Sequence, residues 1–230
     1  MSEASPKDNQ PLATAILEDV VTLLTNPVSF YRRMPKTGGY GDPILFLMVI
    51  AVITAVMMAI FSLFGLGTVG EAMAVGFGGI IFLPMMTLVL SFIGAGLLFI
   101  VWKFIGSKES FEVAYRCVAY ASALFPISAI AGMIPYLGSI VGIVWWTYLM
   151  IVASIEVHHL PPQTAYVVLG IIGFFFVVTN LSSEIAARRL ATEFEQYGGS
   201  VKQLEELSPE EAGEAVGKFL KGLEKSRQEP

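Results

Sequence analysis

The sequence contains one cysteine, Cys117, and two histidines, His158 and His159. A lone thiol excludes an intramolecular disulfide and a cysteine-based zinc cluster, and it lies in an apolar run rather than an electropositive cleft, as a small packing residue does. Charge is scarce too: 14% of the 230 residues are charged, against roughly 25% in a soluble domain. Between Pro43 and Ser183 the basic residues are Lys103, Lys108 and Arg116, and the acidic ones Glu71, Glu109, Glu112 and Glu156. There is no basic patch with which to hold nucleic acid. There is also no Gly-rich loop followed by Lys-Ser/Thr, no His-Glu-x-x-His, and no serine or threonine with a convergent His and Asp. Catalysis, a metal and a cofactor are therefore not expected.

What is present is apolar. Hydrophobic residues make up 55% of the chain, against roughly 45–50% in a soluble domain, and the excess needs a bilayer to hide it. A helix needs about 20 apolar residues to cross the hydrocarbon core. Five stretches qualify: residues 44–64, 80–105, 113–134, 137–155 and 164–180. The first is uncharged, and the second closes on Trp102 and Lys103, which suit a headgroup boundary. The third carries Arg116 near its start and Pro126 in its middle; Pro135 and Tyr136 then make a short turn, so spans three and four are expected to form a tight hairpin. Pro161-Pro162 breaks the chain before the fifth. Residues 68–79 are Gly-rich, carry Glu71 and are too weakly apolar to cross, which suggests an interfacial or re-entrant segment.

The expected fold is all-α: a polytopic transmembrane helical bundle of about five spans, with amphipathic or soluble helices in both tails. It divides into an N-terminal segment (1–42), a five-span membrane domain (43–183) and a charged helical tail (184–230). In the N-terminal segment Leu12, Ile16, Leu17, Val20, Val21, Leu23 and Leu24 recur at helical spacing until Asn26-Pro27, which suggests a helix lying on the membrane surface. No basic n-region leads directly into an apolar core, so targeting is expected to rest on the first span. Beyond the last span, Ile185, Leu190, Phe194 and Tyr197 extend the helix to a C-cap at Gly198-Gly199. Capping boxes at Ser200/Gln203 and Ser208/Glu211 start two more helices; the second bears an apolar stripe from Ala212 to Leu223 that could dock on this protein or on a partner.

Arg32, Arg33 and Lys36 precede span one, and Lys103, Lys108 and Arg116 surround the second connection, while the first and third connections have no Lys or Arg. The positive-inside rule then places the N-terminus in the cytoplasm. Arg188 and Arg189 after the fifth span pull the other way and leave the side of the tail open. The candidate lipid or partner contacts are Arg32, Arg33, Glu112, Arg116, Glu156 and His158. Glu112 and Arg116 share a helix face at i, i+4. Glu156, His158 and His159 close span four; a metal would need three converging ligands, and a surface cluster at headgroup level is the simpler reading. Gly138-x-x-x-Gly142, Pro126 and Pro135 are read as helix-packing positions, the glycine pair either within the bundle or as the seam of a homo-oligomer. Trp145 and Trp146, mid-span, read as packing residues.

The run Leu24-Thr25-Asn26-Pro27-Val28-Ser29-Phe30-Tyr31 leads into Pro43 and span one. Farther on come Phe111, Ala114, Tyr120, Pro126, Ile134-Pro135-Tyr136-Leu137-Gly138, Trp145 and Glu156-Val157-His158. Across roughly residues 15–182 this pattern resembles the Yip-one domain family of polytopic membrane proteins. The resemblance implies five spans and a cytoplasmic N-terminus. Eukaryotic members reside in Golgi and endoplasmic reticulum membranes and bind prenylated Rab-type GTPases. This chain lacks their extended acidic and aromatic N-terminal motifs and looks like a prokaryotic, inner-membrane member, so Rab binding is not carried over. The expectation is a membrane scaffold or adaptor with the lipid bilayer, and other membrane proteins held through the tails, as partners. The rival is a small transporter, channel or lipid-translocating protein using residues 68–79, the Pro-kinked spans and Arg116.

Overall fold

The computed structural model describes residues 11–64 and 77–205. Among them all regular structure is helical. Helix α1 (Leu12–Thr25) ends where Asn26 turns the chain. The Asn26 side chain accepts a hydrogen bond from the Ser29 amide at 3.1 Å, and Pro27 opens helix α2 (Pro27–Arg33). One asparagine thus closes one helix and caps the next, and proline fills the first turn, where its missing N–H costs nothing. Helix α3 (Gly41–Leu63) is followed by α4 (Phe77–Phe104), α5 (Phe111–Ala121, capped by the Ser110 hydroxyl), a 3₁₀ turn (Ser122–Leu124), α6 (Phe125–Ala131), α7 (Leu137–Glu156) and α8 (Pro162–Glu205).

Five stretches are long and apolar enough to cross a membrane: Gly41–Leu63, Gly79–Phe104, Phe111–Ala131, Leu137–Glu156 and Pro162–Leu190. The five expected spans are borne out, with one internal correction. The third is not one kinked helix but two helices joined by a 3₁₀ turn. Pro126 has no N–H to offer the Ser122 carbonyl, and the Phe125 amide closes that turn instead. A second correction concerns Gly198-Gly199 and Ser200: α8 runs through all three to Glu205, so they neither end nor start a helix. Glycine raises the cost of a helix by about 1 kcal/mol without forbidding it. The re-entrant reading of 68–79 falls mostly outside the described residues, although Phe77 onward already belongs to α4; the Ser208 cap and the 212–223 stripe lie outside them entirely.

The chain separates into two compact units divided between Leu181 and Ser182. In the first, α5 occupies the centre, packed against α1, α3, α4 and α7. Val113, Ala114, Cys117, Ala119 and Ala121 are all buried. Lipid tails are as apolar as leucine, so burial alone does not draw helices together in a bilayer; small side chains that let backbones approach do. Gly138 shows this sharply. A Cβ built on it would lie 1.8 Å from the Ala131 carbonyl oxygen, where α6 meets the start of α7, and one on Gly142 would lie 3.1 Å from the Ser128 hydroxyl. The glycine pair therefore faces α6 of the same chain. Pro135 sits in the intervening turn, beside Tyr136 with φ +63°.

The outer faces are apolar and exposed, as lipid contact demands: Ile81, Phe82, Met85, Val89, Ile93, Leu97 and Ile100 line one side of α4. Of the two mid-span tryptophans read as packing residues, one departs from that reading. Trp145 is exposed on the outside of α7, while Trp146 packs against the core. Helix α1 has two apolar faces: Ile16, Val20 and Leu23 pack on the bundle, and Leu17 and Val21 point away from it.

Candidate functional site

Three stretches meet at one end of the bundle: the α2–α3 segment, the α4–α5 connection and the α7–α8 connection. Six charged groups of the described residues meet there in three pairs. Arg32 Nε donates to Glu156 at 2.6 Å and its Nη2 to the other carboxylate oxygen at 3.2 Å. This fork-to-fork pairing holds the guanidinium charge more firmly than usual, chiefly through the hydrogen bond. Lys36 Nζ donates to Glu109 at 2.7 Å and to the Val157 carbonyl at 3.0 Å, and lies 3.3 Å from His159 Nε2.

Deeper in, one oxygen of Glu112 accepts from the Gly39 amide at 2.7 Å and from Arg116 Nε at 3.4 Å, while Arg116 Nη2 donates to the Gly39 carbonyl at 2.6 Å. Arg116 is 0% exposed. The loop that reaches it requires glycine: Gly38 and Gly39 have φ of +114° and +77°, and a Cβ on Gly38 would lie 3.2 Å from Arg116 Nη2. A charge that would be costly in the bundle alone is thereby neutralised by its own helix turn and capped by backbone.

Beside this lies a buried aromatic group. Trp102 Nε1 donates to the Ser154 hydroxyl at 2.7 Å, and its ring stacks on His158 with centroids 3.9 Å apart. His158 Nδ1 is 2.7 Å from Ser107 Oγ. Trp102 is therefore fully buried rather than placed at a lipid boundary, and His158, 4% exposed, is not a surface residue. Burial, followed by the nearby Lys36, Lys103 and His159, lowers the His158 pKa to about 3. Ser107 and His158 have the spacing of a nucleophile and base, but they are 6% and 4% exposed. A base of that pKa also takes a serine proton poorly at neutral pH. Tyr31 joins α2 to the core by donating to the Cys117 carbonyl at 3.3 Å, and burial raises its phenol well above the usual range.

Of the candidates from sequence, Arg32, Glu112, Arg116, Glu156 and His158 come together in this cluster, while Arg33 points elsewhere, into a cleft beside α1. Gly138, Gly142, Pro126 and Pro135 lie in or beside the α6–α7 hairpin. Lys36, Gly39, Ser107, Glu109 and Ser154 are the participants that sequence reasoning missed. Only the Gly38-Gly39 pair carried a signal, a loop needing positive φ. Among the described residues no group of three or more His, Cys, Asp or Glu could hold a metal.

The model of the Yip1 domain matches residues 21–181 of this chain. The chain belongs to the Yip1 domain family. The match spans α2 through the apolar part of α8 and contains every residue of the cluster just described. No curated protein and no solved structure matched the chain in the same comparisons. It is a Yip1-domain integral membrane protein with multiple apolar helices. Its polar residues form a clasp: the N-terminal segment is strapped to the bundle by two ion pairs, Arg32–Glu156 and Lys36–Glu109, and by the backbone hydrogen bonds of Gly39 to Glu112 and Arg116.

Proposed function

We propose that this Yip1-domain protein is a multi-pass scaffold or adaptor, without catalysis, in a prokaryotic inner membrane, with the clasp end in the cytoplasm. The observation that carries the reading is where the charge lies. The Asp, Glu, Lys and Arg residues of the described spans up to Leu181 sit toward the clasp end, where Arg116 pairs with Glu112, and the remainder of those spans has none. A path for ions or polar solutes needs groups along its length to replace water, whereas a fixed and internally paired end does not conduct. The basic residues Arg32, Arg33, Lys36 and Lys103 at that end favour a cytoplasmic side. The surfaces left for partners are the outer face of α1, with Leu17 and Val21, and the tail after residue 183.

One observation favours the transport reading instead. The third span is broken at Ser122–Leu124, and the buried Ser122 hydroxyl makes no hydrogen bond to the protein; interrupted helices of this kind mark substrate sites in transporters. Flux from proteoliposomes loaded with monovalent ions or with a fluorescent phospholipid decides between the two. The scaffold reading predicts leakage and lipid exchange no faster than in protein-free vesicles. Protein-dependent flux that disappears in Arg116→Ala would overturn it.

A further inference from the structure

We propose that the cleft between α1, α2 and the start of α3 binds the headgroup of an amine-bearing zwitterionic phospholipid. The site goes beyond the scaffold reading and does not depend on it. The cleft has a volume of about 320 Å³, within the range of roughly 300–1,000 Å³ typical of ligand sites. Its floor is apolar and aromatic, formed by Ile16, Phe30, Phe46 and Tyr120, and its rim carries Asp19, Asp42 and Arg33.

Depth points to a lipid. Asp42 lies in the first turn of α3, where the first span begins, so the rim stands at headgroup level. Leu45, one turn deeper, also lines the cleft and is 44% exposed on the outer face, so the cleft opens toward acyl chains. Charge selects the class of head. Asp42 and Arg33 together on the rim complement a head that carries both an ammonium and a phosphate better than a purely anionic one. Arg33 can grip the phosphate through two parallel N–H groups. Arg32, Lys36 and Arg116, by contrast, are directed to Glu156, Glu109 and Glu112 in the clasp. An aromatic wall attracts any ammonium. Only a primary amine can also donate hydrogen bonds to Asp42, which separates phosphatidylethanolamine from phosphatidylcholine.

The test is native mass spectrometry of the full chain, delipidated in detergent and titrated with phosphatidylethanolamine, phosphatidylcholine and phosphatidylglycerol of matched chains. The proposal predicts that the ethanolamine lipid binds about tenfold more tightly than the other two, the equivalent of one charge-assisted hydrogen bond. Asp42→Asn should remove that preference, Arg33→Gln should weaken the ethanolamine and choline lipids alike, and Leu45→Trp, which fills the mouth, should lower all adducts. Asp42 and Arg33 are exposed, so unchanged thermal unfolding is expected to accompany the altered binding. Equal affinity for the three lipids, a preference for phosphatidylglycerol, or a preference that persists in Asp42→Asn would overturn the proposal. So would displacement of the lipid by soluble phosphoethanolamine at the lipid's own concentration, which would make the site one for a free metabolite.

Discussion

The third and fifth spans are built to opposite plans. Phe111–Ala131 is the least apolar of the five, yet it is the most enclosed, with 61% of its membrane window buried; Pro162–Leu190 is more apolar and only 17% buried. The third presents Ala114, Cys117, Ala119 and Ala121 to its neighbours and carries Arg116, whereas the fifth exposes Val167, Ile171, Phe174 and Phe175. Hydropathy reports whether a segment leaves water, not what it faces afterwards. In lipid, the central place goes to the helix with small residues and polar contacts, because greasy side chains are equally at home in the bilayer.

Each span has an ion pair at the same i, i+4 spacing, and these make the largest predicted contrast. Arg116→Ala removes a fully buried guanidinium, leaves the Gly39 carbonyl without its donor and leaves Glu112 with the Gly39 amide but no cation. It should lower stability by about 3 kcal/mol, as loss of one partner of a buried pair does. Arg188→Ala, whose side chain is 40% exposed beside Glu184, should cost no more than about 0.5 kcal/mol. Unfolding in mixed micelles by SDS titration measures both, and similar losses would erase the contrast. Next, Gly138→Ala forces a Cβ into the Ala131 carbonyl and should cost about 2 kcal/mol, whereas Gly170→Ala, with nothing within 4 Å of its Cβ, should stay within about 0.5 kcal/mol. Equal effects would mean that α7 does not approach α6 so closely.

The clasp can be sharpened by pH. The His158 pKa is about 3 when folded and about 6.5 when unfolded. The unfolded chain therefore binds the extra proton first, so His158 contributes full stability above pH 6.5 and loses it as pH falls toward 3. Between pH 6.5 and 5, above the carboxylate range, stability should fall by about 1.5 kcal/mol. His158→Gln should flatten that slope, and an unchanged slope would place the titrating group elsewhere. The smallest contrast is between tryptophans. Trp102→Phe loses the bond to Ser154 and should cost about 1 kcal/mol, while Trp145→Phe on the exposed face should be near neutral.

Bilayer thickness dictates the length of an apolar run, so the spans were legible in the residues, as was the Asn26-Pro27 stop. The Glu112–Arg116 pair could be read because its spacing is local. Arg32 with Glu156 and Lys36 with Glu109 could not, since each pairing crosses the chain and a single sequence does not record which connections share an end. Trp102 beside Lys103 has the look of a headgroup belt until its indole is seen donating to Ser154 inside the bundle. The break at Ser122–Leu124 was half legible: Pro126 announces a disturbance, but whether a helix bends or divides depends on what packs around it.

A double-mutant cycle in one detergent tests most directly the claim that the charge in the central span is a structural clasp. Glu112→Ala and Arg116→Ala, singly and together, should show a coupling above about 1.5 kcal/mol, against about 0.3 kcal/mol for Glu184→Ala with Arg188→Ala. Couplings of equal size, or a larger one in the outer pair, would contradict it.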